Sequence, residues 1–191
     1  MSGPFLITGL PRSRTAWLSV AAGNDQSICW HEPTGWLDRW QDVYRKIWWG
    51  SAERYVGISD SALGFHLPEI IRTVSPRVLI VERDIIEVEA SLARLGVPRS
   101  NYCTLLGEAL AYEHPSILRV PFHDLADSRN VVMALRHLMP EAWISLDRIE
   151  SLQCMNIQTD MGRVGRLGEQ RKGDMVALLG SEIANRLKVE V

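Results

Sequence analysis

The sequence predicts a three-layer α/β fold, in which a mostly parallel sheet of about five strands carries helices on both faces. Short apolar segments alternate along the chain with longer amphipathic ones, which is the order that parallel strands joined by helical crossovers require. The segment 77–81 (RVLIV) is a near-continuous run of branched apolar residues, as expected for a strand buried on both faces. With 191 residues, the chain is long enough for one domain, 1–191, that buries about 70% of its unfolded surface.

Five strands and seven helices follow from this alternation. The strands are predicted at residues 4–8, 27–30, 54–58, 77–81 and 116–120. The helices are predicted at residues 15–22, 36–49, 61–73, 85–95, 102–112, 130–138 and 174–187. Parallel sheets of this kind bind ligands at the carboxyl ends of their strands, so the residues that follow each strand are the first candidates for function.

Composition excludes several classes of protein. The net charge of −2 lacks the basic excess of nucleic-acid-binding proteins, so no nucleic-acid partner is expected. No apolar run approaches the roughly 18–20 residues of a membrane span, and the first ten residues are too short an apolar segment for a signal peptide. Cys29, Cys103 and Cys154 form no CxxC pair, which indicates free thiols, a cytoplasmic location and no metal site.

The loop after the first strand has the features of an anion-binding turn. Residues 8–18 read TGLPRSRTAWL, so a tight turn with Gly9 and Pro11 leads directly into a helix. Backbone N–H groups and a helix N-terminus then point at one place, where phosphate or sulfate binds. The charged and hydroxyl donors of the loop are Arg12, Ser13, Arg14 and Thr15. The alternative is an ordinary strand–helix turn with solvated arginines. The loop lacks the GK[ST] of a Walker A sequence, which disfavours a nucleoside triphosphatase.

A second basic turn follows the fourth strand. Arg83 comes directly after the buried segment 77–81, and Ser91 lies eight residues further on, within the next predicted helix. A guanidinium can hold a phosphate through two parallel hydrogen bonds, and a hydroxyl can complete the contact. The alternative is that Asp84 caps the helix and Arg83 forms a surface ion pair.

These two turns resemble the nucleotide-binding motifs of sulfotransferases. PRSRTAWL is similar to that family's 5'-phosphosulfate loop, Pro-[Lys/Arg]-Ser-Gly-Thr-[Thr/Ser]-[Trp/aliphatic]-Leu. The residues from Arg83 to Ser91 are similar to its 3'-phosphate motif, Arg-[Asn/Asp]-Pro-x-x-Val-x-x-Ser, with Ile85 in place of proline. The resemblance implies a P-loop NTPase-like fold of the sulfotransferase type, with 3'-phosphoadenosine 5'-phosphosulfate as co-substrate and no metal.

The resemblance also implies roles for residues of the first loop. Arg12 contacts the bridging oxygen of the phosphosulfate. The 5'-phosphate is held by Ser13, Thr15 and the loop backbone as far as Ala16, where the family usually has a hydroxyl. Trp17 lies against the adenine. Arg14 replaces the family glycine, and its side chain either makes its own charge-assisted contacts or crowds the site.

Weaker similarity covers two later segments. ILRVPFHDL (117–125) resembles the family's strand that ends in a Tyr-Glu-Asp-Leu-like turn. In the basic loop 160–174, Arg171, Lys172 and Gly173 resemble the Arg-Lys-Gly that closes over the 3'-phosphate in cytosolic sulfotransferases.

Two candidates for a general base follow the second strand, in CWHEPTGW. Neighbouring residues of an extended strand point to opposite faces, so only one of His31 and Glu32 is expected to face the donor. Glu32-Pro33 resembles the Glu-Pro of carbohydrate sulfotransferases, whereas His31 has the better unperturbed pKa. The alternative is a polar strand end without a catalytic role. Arg12 supplies charge stabilisation rather than a proton, because arginine stays protonated.

An aromatic stripe follows these candidates at helical spacing. Its members are Trp36, Trp40, Tyr44, Ile47 and Trp48. Such a stripe is typical of core packing, and the alternative is an apolar wall for an aromatic or sugar acceptor. Asp60 and Ser61, after the third strand, either cap a helix or face the acceptor.

Together these patterns predict a sulfotransferase that transfers a sulfuryl group to a hydroxyl of a small molecule or sugar. Two alternatives stay open: a non-catalytic nucleotide-binding protein of the same fold, and a P-loop small-molecule kinase. The missing Walker lysine disfavours the kinase. Sequence patterns do not identify the acceptor or the oligomeric state.

Overall fold

A computed structural model describes residues 3–36, 39–43, 55–97 and 100–154, together with Arg45 and Ile47. All of these residues belong to one compact unit, Met1–Met155. The predicted helix 174–187 and the basic loop 160–174 lie outside the described residues.

The sheet consists of five strands, all parallel, in the order β2-β3-β1-β4-β5. The strands are β1 (Pro4–Gly9), β2 (Ser27–His31), β3 (Tyr55–Ser59), β4 (Arg77–Glu82) and β5 (Ile117–Pro121). Each of the five predicted strands is present, and its ends lie within one residue of the predicted ends. The predicted α/β class and parallel sheet are therefore confirmed.

The centre of the sheet is formed by β1 and β4, which lie next to each other. Residues Val78–Val81 of β4 are buried, as are Phe5 and Leu6 of β1. Because both faces of these strands are covered, apolar side chains occur without alternation. Phe5 also packs directly over Gly57 of β3, where an added β-carbon would lie 1.9 Å from its ring.

Seven α-helices are described. They are α1 (Thr15–Ala22), α2 (Trp40–Val43), α3 (Leu67–Val74), α4 (Ile85–Ala93), α5 (Tyr102–Leu110), α6 (Ser128–Leu138) and α7 (Leu146–Gln153). Three 3₁₀ turns span Pro33–Trp36, Ala62–His66 and Phe122–Ala126.

The helices form a layer on each face of the sheet. The first layer contains α1, α6 and α7, since α7 contacts both of the others. The second contains α5, which contacts α4 and the 62–66 turn. This separation follows from the right-handed crossover rule, because β1 connects towards one edge of the sheet and β4 towards the other. The arrangement fits a three-layer α/β fold.

Two helices differ from the prediction, and one was not predicted. The predicted helix 61–73 is divided into the 62–66 turn and α3, because Pro68 lacks an N–H and starts a new helix. The predicted helix 36–49 contains a 3₁₀ turn at its start and the short α2. Helix α7 was not predicted, and among its residues Ile149 is buried.

Within the described ranges, no helix combines the length and the hydropathy that a membrane crossing needs.

Candidate functional site

The crevice at the carboxyl edge of the sheet opens between β1 and β4. These adjacent strands are followed by connections that run in opposite directions, β1 towards β2 and β4 towards β5. Their following loops therefore separate above the sheet and form a topological switch point, where ligands of open α/β sheets bind. Arg12 lies in the loop after β1, and Arg83 directly follows β4.

The two predicted basic turns contact each other at this switch point. Arg83 Nη1 donates a hydrogen bond to the main-chain carbonyl of Arg12. Arg12 Nε donates to Ser91 Oγ of α4 at 3.3 Å. Arg83 also pairs with Glu87 Oε2 at 3.3 Å, and its side chain is 13% exposed. Arg12, Arg83 and Ser91, which were predicted from two separate motifs, thus lie in one place.

The loop backbone turns its N–H groups towards this crevice. Arg12 and Arg14 both have left-handed conformations, with φ values of 67° and 60°, on either side of Ser13. Helix α1 then begins at Thr15, and no side chain caps it. The N–H groups at the start of a helix have no intrahelical partner, and alternation of backbone conformations gathers such groups into an anion-binding concavity. Thr15 and Ala16, which were predicted to bind the 5'-phosphate, are the first two residues of α1 and supply two of these N–H groups.

Ser13 places a hydroxyl between the two left-handed residues of this loop. Its side chain is fully buried, and among the described residues none forms a hydrogen bond with its Oγ. Buried hydroxyls almost always have a partner, so the Ser13 hydroxyl, like that of Thr8 in β1, is an exception among the described residues.

Arg14 makes its contacts with the protein. Its Nη1 donates to the Leu125 carbonyl at 2.9 Å and to Gln153 Oε1 at 3.1 Å. Burial, and then the charge of Arg83, lower the pKa of Arg14. Of the two alternatives for this side chain, the structure shows charge-assisted hydrogen bonds rather than an unanchored group in the loop. The left-handed φ at position 14 is a conformation that glycine would adopt without strain.

Trp17 is placed differently from the expectation that it lies against adenine. Its ring is 5% exposed, and its Nε1 donates to the Leu152 carbonyl of α7 at 3.0 Å. The ring is part of the packing between α1 and α7, because α1 turns this face towards its own layer. It therefore does not present a face on which a base could stack.

Phe122 is an aromatic ring that lies against the guanidinium groups of both Arg83 and Arg14. The Arg83 guanidinium lies 4.0 Å from its centroid, and the Arg14 guanidinium lies 5.8 Å away. Sequence reasoning gave Phe122 no role of its own, although its place directly after β5 was a usable signal. Among the described residues, Arg83 is the one of the three arginines at positions 12, 14 and 83 that pairs with a carboxylate, that of Glu87. These three arginines therefore carry more positive charge than that carboxylate neutralises.

His31 is the last residue of β2 and Glu32 follows it, so both lie at the carboxyl edge of the sheet. Glu32 has a φ of 48°, which ends the extended conformation. The two side chains are consequently not on opposite faces, and His31 Nε2 lies 3.7 Å from Glu32 Oε1. The expectation that only one faces the crevice assumed an extended strand and does not hold. Burial, and then the charge of Asp60, raise the pKa of Glu32.

Asp60 is buried and structural. Its Oδ1 accepts from the Ala62 N–H at 2.8 Å, and its Oδ2 accepts from the Thr34 N–H at 3.1 Å and from Thr34 Oγ1. It thereby fixes the 62–66 turn to the 33–36 turn, in agreement with the capping alternative. Ser61 forms no side-chain cap.

Tyr102 lies near the carboxyl groups of Glu32 and Asp60 and was not predicted to be part of the site. Burial, followed by the charges of Asp60, Cys103 and Glu32, raises its pKa. Its ring meets the edge of Phe65, with 5.5 Å between centroids. No sequence signal connects Tyr102 with residues at positions 32 and 60, because only the fold brings the start of α5 to this edge.

The acidic end of the site, at Glu32 and Asp60, is separated along the edge of the sheet from the basic end, at Arg12 and Arg83. Glu32 follows β2, which lies two strands from β1 and three from β4. With about 4.8 Å between strands, the separations are about 10 Å from the Arg12 loop and about 14 Å from Arg83.

The aromatic stripe is only partly described. Trp40 is buried and stacks with His66 at 6.2 Å between centroids, as expected for core packing. It also borders a cleft of about 510 Å³ that none of the predicted donor-binding residues lines. The side chains at positions 36, 44 and 48 lie outside the described residues, as do Arg171, Lys172 and Gly173. In the described ranges, no three His, Cys, Asp or Glu side chains are grouped to hold a metal ion.

No protein-family model matches the chain, and no curated protein matches it. The function is therefore inferred from the chemistry of the switch point.

Proposed function

We propose that the chain binds 3'-phosphoadenosine 5'-phosphosulfate in the crevice between Arg12 and Arg83 of a P-loop-like fold, and transfers its sulfuryl group to a hydroxyl of a small molecule or sugar. The contact between these two turns carries the proposal. Residues of two sulfotransferase-like motifs, far apart in the sequence, meet at the point of the sheet where nucleotides bind.

Charge and hydrogen-bonding capacity support a ligand with anionic groups at two positions. Among the described residues, only Arg83 of the arginines at positions 12, 14 and 83 pairs with a carboxylate, that of Glu87. Arg83 and Ser91 are suited to a 3'-phosphate, and Ser13 with the first N–H groups of α1 to a 5'-phosphate. A single small anion would use only one of these two sets.

Transfer requires that the bond from sulfur to the bridging oxygen breaks while a bond from the acceptor oxygen to sulfur forms. Negative charge develops on the bridging oxygen, and Arg12 stabilises it there. Glu32 accepts the acceptor's proton, and its raised pKa makes it a stronger base than an ordinary carboxylate. A separation of about 10 Å between Glu32 and the loop leaves room for an attacking hydroxyl and a sulfuryl group, with reacting atoms about 3–3.5 Å apart.

Binding is tested by thermal shift with 3',5'-adenosine bisphosphate, adenosine 5'-phosphosulfate and ATP–Mg²⁺. We expect the largest shift with the bisphosphate and its loss in Arg83→Ala. Arg72→Ala, which removes an exposed arginine of α3, is the matched control and should retain the shift. A larger shift with ATP–Mg²⁺ would contradict the proposal and favour the kinase.

Turnover is tested with the sulfuryl donor and a panel of hydroxyl acceptors. We expect transfer that Arg12→Ala abolishes and Arg72→Ala leaves intact. Binding of the bisphosphate without transfer to any acceptor would overturn the catalytic part and favour the non-catalytic nucleotide-binding protein.

A further inference from the structure

Position 14 combines a strained backbone with an arginine side chain. Arg14 is the N-cap residue of α1 and has φ 60° and ψ 18°, a left-handed conformation. Glycine adopts this conformation freely, whereas a residue with a β-carbon needs surrounding contacts to hold it there. The contacts of the Arg14 side chain are therefore a candidate for what fixes the loop.

Those contacts form a closed cycle of three hydrogen bonds. Arg14 Nη1 donates to the Leu125 carbonyl and to Gln153 Oε1, and Gln153 Nε2 donates to the same Leu125 carbonyl at 2.6 Å. Leu125 belongs to the 122–126 turn after β5, and Gln153 is the last residue of α7. One side chain thus joins the anion-binding loop to two other elements.

Aromatic contacts hold the same guanidinium from other sides. It lies 5.6 Å from the Trp17 ring centroid and 5.8 Å from that of Phe122. Phe122 also supports the Arg83 guanidinium, at 4.0 Å. A shift of Arg14 would therefore disturb both its own loop and the neighbour of Arg83.

We infer that Arg14 is a positioning residue, which holds residues 12–15 in the conformation that gathers their donors at the crevice, through its contacts with Leu125 and Gln153. Glycine would adopt this backbone conformation freely, whereas here the contacts of the arginine side chain hold it. The identity of the anion rests on the proposed function, but the ordering of the loop does not.

The first test uses the ligand-free protein. Gln153→Leu removes one partner of Arg14 without changing the loop or its charge, and Arg14→Gly removes the anchor but suits the backbone. We expect NMR order parameters of residues 12–15 to fall from about 0.85 to below about 0.6 in both variants. Arg148→Met is the matched control. Arg148 of α7 binds the carbonyls of Val20, Ala21 and Gly23 at the other end of α1, so its loss should leave the loop ordered.

The second test separates position from charge. We expect Gln153→Leu to weaken binding of 3',5'-adenosine bisphosphate about tenfold, with an unchanged dependence on salt, because no charge is lost. Arg14→Lys keeps the charge but cannot maintain the cycle, so it should weaken binding similarly.

Unchanged loop order in Gln153→Leu and Arg14→Gly, or equal loss of order in Arg148→Met, would overturn the inference. If the unmodified protein fails to bind the bisphosphate, the proposed function fails, whereas the order parameters still decide the role of Arg14.

Discussion

Arg83 donates a hydrogen bond to the carbonyl of Arg12, a residue 71 positions earlier in the chain. Each residue lies in the turn that follows a central strand, so the bond joins the turns after β1 and β4 above the carboxyl ends of these strands. A guanidinium that binds a carbonyl, a carboxylate and an aromatic face at once is fixed in orientation.

Arg83→Lys should weaken binding of 3',5'-adenosine bisphosphate by about tenfold, because an ammonium is a point charge that cannot form the fork of parallel hydrogen bonds. Titration calorimetry of both proteins gives the ratio. Arg72→Lys, on the exposed surface of α3, is the control. Equal affinity in the Arg83→Lys protein would show that only charge matters at this position.

Ser91→Ala removes the hydroxyl that receives the Arg12 Nε–H bond. We expect a loss of about 1 kcal/mol in bisphosphate binding, since one hydrogen bond to a charged group is removed from a partly buried pair. Ser151→Ala deletes a hydroxyl that binds only the Asp147 carbonyl on α7, and it should not change binding. A similar loss in both variants would point to general destabilisation of the fold.

Glu32 should make the protein less stable as pH rises. Its folded pKa is raised, first by burial and then by the charge of Asp60, so the folded state binds the Glu32 proton more tightly than the unfolded state does. The unfolded chain therefore loses this proton at a lower pH than the folded chain does. As the pH rises above 4.5, the ordinary pKa of glutamate, the free energy of unfolding decreases, and it stops decreasing once the pH has passed the folded pKa of Glu32.

Glu32→Gln removes this dependence. Urea unfolding across the acidic to neutral range should show that the variant gains stability relative to the unmodified protein as pH rises and then reaches a plateau. A constant difference at every pH would mean that Glu32 titrates alike in both states. Glu108→Gln, a substitution of an exposed glutamate of α5, serves as the control.

Gly57→Ala should destabilise the sheet by about 3 kcal/mol, because the new methyl group would overlap the Phe5 ring between β1 and β3. Gly107→Ala is a matched substitution in α5, where an added β-carbon meets nothing within 4 Å. There we expect a gain of about 0.5–1 kcal/mol from helix propensity. Denaturant unfolding of both variants measures the two effects, and a tolerated Gly57→Ala would contradict the packing described at Phe5.

The five strands, helix α1 and the order of the two basic turns could be predicted from the sequence, because each depends on residues that are close together in the chain. The apolar run of β4 and the turn from Gly9 to Thr15 are local patterns of this kind. These patterns do not show that the turns after β1 and β4 lie side by side, because that depends on the strand order, which no local pattern contains.

Tertiary structure alone decided the contacts between distant segments. The cycle that joins Arg14 to Leu125 and Gln153, the burial of the Trp17 ring against α7, and the approach of Tyr102 to the acidic edge all link residues from separate elements. Side-chain direction also depended on backbone conformation, as the left-handed φ at Glu32 brought it beside His31. Local sequence thus determined which groups are available, and packing of the two helical layers determined which of them meet.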